Sequence, residues 1–173
     1  MDDIDRSLLH ELQRDADRSL IDLGEIVGLS ASAVQRRIGR LKTDGYIAGV
    51  FAKLDAHRLG LPVTIVTMVR FERDSTTATR TLVEALASRP EVQMLHSLAG
   101  QHDLVIVTVV GDLDDYATGV LVELESDDNV SRIETHVSLG EYKSTHELPI
   151  RDLTKSGEQQ KPTNATARYS HAL

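Results

Sequence analysis

Ser19-Leu20-Ile21-Asp22-Leu23-Gly24-Glu25-Ile26-Val27-Gly28-Leu29-Ser30-Ala31-Ser32-Ala33-Val34-Gln35-Arg36-Arg37-Ile38-Gly39-Arg40-Leu41-Lys42 reads as two helices joined by a tight turn. The first helix starts after Ser19, buries Leu20, Leu23 and Val27, and ends at Gly28. The second starts after Ser30 as N-cap and buries Val34, Ile38 and Leu41, until Asp44-Gly45 stops it. A crossing of this kind needs a small residue at the contact, which Gly24 supplies, and a turn residue tolerant of positive φ, which is Gly28. On the second helix, at about 100° per residue, Gln35, Ser32, Arg36 and Arg40 fall away from the Val34–Ile38–Leu41 direction.

Residues 30–42 contain Arg36, Arg37, Arg40 and Lys42 and no acid, although the whole chain carries a net charge of −8. The imbalance is partitioned along the sequence. Residues 1–60 sum to −1, residues 61–150 to −9 and residues 151–173 to +2. An acid-free, outward-facing basic helix is what a recognition helix presents to a DNA major groove. Arg pairs guanine and Gln pairs adenine in bidentate fashion, so Arg36 and Gln35 are the candidate base readers. Ser32 shares their face, and Arg37, Arg40, Lys42 and the amides near Ser30 suit phosphate. The alternative is a helical hairpin with a solvated basic face. The DNA-reading expectation requires those arginines to be free of the protein's own carboxylates.

Upstream, Ile4, Leu8, Leu9 and Leu12 form the stripe of a further amphipathic helix, with Asp2, Asp3 and Asp5 favouring its N-terminus through the helix dipole. Downstream, Tyr46 to Leu54 alternates like a short strand and Asp55 to Pro62 reads as a linker. Strand and helix then alternate: Val63–Phe71, a helix from Thr76 to Arg89, Val92–Ala99, a turn over Gly100–Asp103, Leu104–Val110, a helix from Leu113 to Glu125, and Val130–Leu139. The order β-α-β-β-α-β is the ferredoxin-like split unit, whose helices cover one sheet face and leave the other for self-association. The expected class is α+β. Residues 1–45 form a three-helix, plain or winged helix-turn-helix domain, 46–61 a strand and linker, 62–150 a ferredoxin-like domain, and 151–173 a polar, disordered tail.

The chain has 173 residues, 40% hydrophobic and 27% charged, and no cysteine, which excludes disulfides, thiolate metal sites and cysteine nucleophiles. The N-terminus is acidic where a signal peptide is basic, and Leu104–Val110 is far short of the roughly 20 residues of a membrane span. A cytoplasmic protein without membrane contact is the expectation. None of the seven histidines is spaced i, i+4 with another, so neither a metal site nor a cofactor is expected.

The ordered fragments Asp3-Ile4-Asp5-Arg6, Leu23 to Ser32, Arg36-Arg37-Ile38-Gly39-Arg40-Leu41, Gly45-Tyr46-Ile47, Gly60-Leu61-Pro62, Pro90-Glu91-Val92 and Gly100-Gln101-His102-Asp103 closely resemble the Lrp/AsnC (feast/famine) transcription regulators over residues 2–148. The resemblance implies a second domain of the RAM/AsnC type, pairing into a homodimer through its open sheet face and assembling to a tetramer or octamer. It also implies a small-molecule effector, commonly an amino acid, so that the partners are double-stranded DNA, an effector and further copies of the chain. Carried over by position, the effector residues are Gly100, His102 and Asp103 in the turn and His136, Val137 and Ser138 on the last strand. Asp103 could pair an α-ammonium or simply cap backbone amides, and His136 could equally be a surface strand residue. His102 departs from the aromatic residue usual in the family's Gly-x-aromatic-Asp turn and could add pH sensitivity near neutrality. Two other functions share the scaffold. Some siroheme decarboxylases resemble this family and use His and Arg on a tetrapyrrole, and a metabolite-binding module could have lost DNA binding. With no catalytic residue identified and the basic helix intact, a regulator rather than an enzyme is the reading.

Overall fold

The computed structural model describes residues 1–72 and 76–150, with the side chains of 73–78 outside that description. It divides into two compact units, one of Met1–Lys53 together with the described residues from Lys143 onward, the other of Leu54–Tyr142.

In the first unit, α1 (Asp3–Leu12), α2 (Leu20–Val27) and α3 (Ala31–Thr43) enclose a small core. Leu8, Leu23 and Val34 are fully buried, with Ile4, Leu12, Leu20, Val27, Leu29 and Ile38 packed against them. Each helix start is fixed locally. Asp2 and Asp5 form a reciprocal capping box on α1, in which the Asp2 carboxylate accepts the Asp5 amide at 2.8 Å and the Asp5 carboxylate accepts the Asp2 amide at 3.0 Å. The Ser19 and Ser30 hydroxyls accept the amides of Asp22 and Ala33. Gly28 ends α2 at φ +69°, a left-handed cap that costs a non-glycine residue strain. A Cβ on Gly24 would meet the Leu29 carbonyl oxygen well inside van der Waals distance, which is why α2 and α3 cross there.

The strand expected over Tyr46–Leu54 is not formed. Residues 47–55 run without regular structure, and the three-helix unit carries no wing among the described residues. Alternation alone does not make a strand; among the described residues the segment has no strand neighbour to pair its amides and carbonyls, and Val50, Phe51 and Leu54 stay exposed, Phe51 by 88%.

The second unit has β1 (Val63–Phe71), α4 (Thr76–Ala87), β2 (Val92–Ser97), β3 (Leu104–Val110), α5 (Leu113–Tyr116), a π-helical turn (Ala117–Leu121), α6 (Val122–Glu125) and β4 (Val130–Val137). The sheet order is β2-β3-β1-β4 with every neighbouring pair antiparallel, the ferredoxin-like arrangement. Ile65, Val69, Leu104, Ile106 and Val110 from the sheet pack against Leu82 and Leu86 of α4 and Tyr116, Val120 and Leu124 of the α5–α6 segment on the same face. The expected single helix Leu113–Glu125 contains the π turn, and with it Tyr116, Val120 and Leu124 all reach the sheet. Inside, the Tyr116 hydroxyl hydrogen-bonds Thr67 at 2.8 Å and Thr135 at 2.9 Å, satisfying the phenol in an apolar layer. The 151–173 tail lies outside the described residues.

Candidate nucleic-acid interface and effector site

Helix α3 presents Ser32, Gln35, Arg36 and Lys42 as exposed side chains, opposite the buried Val34 and Leu41. The Ser30 and Ser32 hydroxyls lie 3.1 Å apart at its start. A shallow groove lined by Leu29, Ala33, Arg36, Arg37 and Arg40 runs beside it.

Two of its four cations are not free of the protein's own carboxylates, so the requirement on the α3 arginines fails at Arg37 and Arg40 and, among the described residues, is met at Arg36. Arg37 donates from Nη1 to Asp2 at 2.6 Å and to Asp5 at 2.7 Å, and Arg40 donates from Nη2 to the other Asp5 oxygen at 2.7 Å. The Asp5 side chain is fully buried, whereas Arg40 remains 54% exposed. The two acids come from α1, so the acid-free run of α3 is compensated from across the domain. Among the described residues no carboxylate pairs with Arg36 or Lys42.

The electrostatics follow. The Asp5 amide and then the Arg37 guanidinium lower the Asp2 carboxyl to about 2. Burial pushes Asp5 up, but the Asp2 amide and Arg37 outweigh it and hold the carboxyl below its ordinary value. Arg37 is raised by its hydrogen bonds to Asp2 and then Asp5. Sequence reasoning gave the first-turn acids only a helix-dipole role. The Asp-x-x-Asp capping spacing at Asp2 and Asp5, set beside Arg-x-x-Arg at Arg37 and Arg40, was the available signal.

In the second unit, Gly100, His102 and Asp103 occupy the β2–β3 turn. The Asp103 amide donates to Val69 O at 2.9 Å, its carbonyl accepts the Leu98 amide at 2.8 Å, and its carboxylate accepts the Phe71 amide at 2.9 Å. It therefore caps backbone where the β1–β4 register shifts between Arg70 and Phe71. His102 Nε2 approaches Glu134 Oε1 to 3.3 Å without hydrogen-bond alignment, which leaves that buried nitrogen unsatisfied. Arg132 Nε reaches the same Glu134 oxygen at 2.8 Å. The His102 ring, then Arg132, hold the Glu134 carboxyl below its ordinary value.

On β4, Glu134 pairs with Met68 and His136 with Val66, so both stand on the sheet face without helices. Val137 pairs with Ile65 and stands on the opposite face, and Ser138 donates its amide to Thr64 O at 2.9 Å. The turn and β4 are thus brought together through His102 and Glu134. Glu134 and Arg132 were missed from the sequence, although Glu134 alternates with His136. That open face also carries half-buried Val66, Met68, Val105, Val107 and Val109, and exposed Met94.

Comparison with known proteins agrees over both units. The family model described as the AsnC-type helix-turn-helix domain matches residues 1–42, and that described as the Lrp/AsnC ligand binding domain matches residues 64–148. The chain is 30% identical over 150 residues to the DNA-binding transcriptional activator DecR of Escherichia coli (strain K12), covering 87% of this chain and 99% of that one. It is 27% identical over 153 residues to the transcriptional regulator AzlB of Bacillus subtilis (strain 168), covering 88% and 98%. An AsnC family transcriptional regulator from Agrobacterium tumefaciens superposes with a TM-score of 0.80 at 28% identity, covering 90% of this chain and 99% of that one. A transcriptional regulator from Neisseria meningitidis, solved as a complex with L-Met, gives a TM-score of 0.80 at 26% identity over 86% of this chain and 96% of that one. These relatives are regulators, which sets aside the tetrapyrrole enzyme and the binding module without DNA contact. No helix of the described residues is long and apolar enough to cross a membrane. With its helix-turn-helix and its ligand-binding domain both matched, the chain belongs to the Lrp/AsnC family of DNA-binding transcription regulators and is not an enzyme.

Proposed function

We propose that this regulator reads DNA sequence through α3, with Gln35 and Arg36 contacting base edges and Ser32 beside them. Lys42 and the α3 amides behind Ser30 then face phosphate, while Arg37 chiefly anchors α3 to α1 and Arg40, paired with Asp5, adds to phosphate contact only weakly. The observation that carries this is the polar face of Ser32, Gln35 and Arg36, exposed and unpaired with any carboxylate among the described residues. The Leu29–Ala33 floor of the adjoining groove suits apolar contact with a thymine methyl or a sugar.

The test is affinity for a duplex selected from a random-sequence pool, against a scrambled duplex. Arg36→Ala costs about 1–3 kcal/mol on the selected site and relaxes preference at one position. Equal loss on both duplexes makes Arg36 a phosphate contact, and no selection by the wild-type chain overturns the reading.

The proposal extends to a cytoplasmic homo-oligomer, a dimer pairing through the Val66–Val107 sheet face and assembling further, with DNA affinity modulated by an amino acid. The effector position is the β2–β3 turn, with Gly100, His102 and Asp103, and the open-face His136 and Ser138 at the end of β4, to which Glu134 is added, while Val137 on the opposite face is left out. Support for it comes from the buried His102 nitrogen, which approaches Glu134 to 3.3 Å without an aligned hydrogen bond, beside a carboxylate that Arg132 also holds. An effector can change operator affinity only by its differential affinity for two states of the assembly. A thermal-shift screen against the common amino acids tests this, because a bound ligand raises apparent stability by RT ln(1 + [L]/Kd). Absence of any shift at millimolar ligand removes the amino acid.

A further inference from the structure

The Asp2–Asp5 pair does more than start a helix. Asp5 is fully buried, yet both its oxygens are aimed at α3, one at Arg37 and one at Arg40. Asp2, half-exposed, closes on the same Arg37 nitrogen. Two carboxylates thus neutralise two of the four cations on the proposed reading helix and leave Arg36, the one flanked by Gln35 and Ser32, uncompensated among the described residues. Phosphate attraction is blind to sequence, since each contact contributes equally on any duplex. A recognition helix with four free cations binds every duplex strongly. One with only its base-reading arginine and Lys42 unpaired depends more on base contacts.

We infer that Asp5, backed by Asp2, is a specificity-determining positioning residue: by pairing Arg37 and Arg40 it suppresses sequence-independent phosphate binding and fixes the azimuth at which α3 presents Gln35 and Arg36. The inference rests on α3 being the reading helix, as proposed above. Asp5 acts through the arginines and touches no DNA. The geometry gives the sign. Releasing the two guanidinium groups strengthens binding to arbitrary DNA while weakening discrimination, the reverse of what loss of a DNA contact does.

The experiment measures binding of the full chain to the selected and scrambled duplexes by fluorescence anisotropy across a salt series. Asp5→Asn keeps the side-chain volume and removes the charge. Asp2→Asn, where Asn remains a good N-cap, covers the case in which Asp5→Asn fails to fold. The double variant Asp5→Asn/Arg37→Gln removes one released cation. The expected result for Asp5→Asn is scrambled-duplex affinity raised about 3- to 10-fold near 100 mM salt, with the slope of log K against log salt steeper by about 1 to 2. Asp2→Asn shifts both in the same direction by less, and the double variant returns part of the slope.

A folded Asp5→Asn protein with unchanged slope and an unchanged selected-to-scrambled ratio overturns the inference. If Asp5→Asn is unfolded, an unchanged slope and ratio in folded Asp2→Asn overturn it instead. Arg36→Ala run in parallel separates the two failures. If it loses selected-site affinity while the Asp variants change nothing, α3 still reads DNA and only the role of Asp5 falls. If Arg36→Ala also changes nothing, the reading of α3 falls with it.

Discussion

The Asp103 carboxylate accepts the backbone amide of Phe71 at 2.9 Å, tying the turn before β3 to the irregular end of β1. That bond gives Asp103 a folding role that stands whether or not it also meets an effector. Asp103→Ala leaves a part-buried amide without its acceptor, and a hydrogen bond to a charged group is worth about 1.5–3 kcal/mol. The expected outcome is a second-unit melting transition lowered by several degrees. Asp103→Asn retains an acceptor oxygen and removes the charge, so it recovers most of the stability while abolishing amino-acid response if the carboxylate pairs an α-ammonium. Calorimetry of both variants, with and without the amino acid found by thermal shift, separates the two roles. A fully responsive Asp103→Asn protein moves the ammonium partner elsewhere.

Gly24 carries a comparable constraint in the first unit. With the Leu29 carbonyl oxygen occupying the space a Cβ would need, Gly24→Ala must push backbone aside rather than a side-chain tip. Overpacking of this kind costs about 1–3 kcal/mol. Because α2 and α3 meet there, DNA affinity should fall along with helical content on urea titration. A Gly24→Ala protein as stable as wild type, with unchanged affinity, would show that the α2–α3 crossing tolerates adjustment.

These two residues mark how far the sequence was legible. Gly24, Gly28 and the Ser30 cap act over two to six residues, so local chemistry revealed the helix pair, and the ferredoxin-like order followed from alternating periods. The Asp5–Arg37 pair spans 32 positions, and nothing local distinguishes a capping acid from one that also binds a neighbouring helix. The same blindness let an acid-free run pass for four free cations. Residues 46–54 misled in the other direction, since alternation reports which faces differ but supplies no pairing partner. The π turn stayed hidden because Tyr116, Val120 and Leu124 are spaced as in an ordinary helix. In the effector region His102 was conspicuous as a departure from the family, while Glu134 became visible only when the β1–β4 register set it beside that ring.

Acid titration tests the α1–α3 cluster without DNA. Asp2 has its carboxyl lowered from 3.8 to about 2, and Asp5 is lowered as well, so in this window the folded state binds fewer protons than the unfolded one. Stability from Asp2 is therefore fully present above pH 3.8 and is lost as pH falls from 3.8 towards 2, and Asp5 adds a loss of the same sign. Asp2→Asn removes one titrating group, so the wild-type and variant thermal midpoints should differ most above about pH 4, with the wild type the more stable, and converge only as the pH falls towards about 2. Circular dichroism melts at half-unit intervals measure the difference curve, in which the chain's other carboxylates cancel. A difference independent of pH would mean that Asp2 contributes as a cap alone and that its charge does nothing for Arg37.

The open sheet face supplies the last test. Val107 stands at its centre on β3, paired with Val66 on one side and Met94 on the other, and the adjoining Ile106 and Thr108 point into the core. Val107→Glu therefore adds charge to the uncovered face and leaves the buried layer untouched. If copies of the chain associate through this face, the substitution desolvates a carboxylate in an apolar contact without a partner, a cost large enough to dissociate it. Light scattering is expected to give a dimer or larger for the wild type at micromolar concentration and a smaller species for Val107→Glu, with the melting transition of the isolated subunit little changed. A monomeric wild type removes the proposed assembly altogether. An unchanged mass for a folded Val107→Glu protein transfers the interface to another apolar surface, such as the 47–55 segment with its exposed Val50, Phe51 and Leu54.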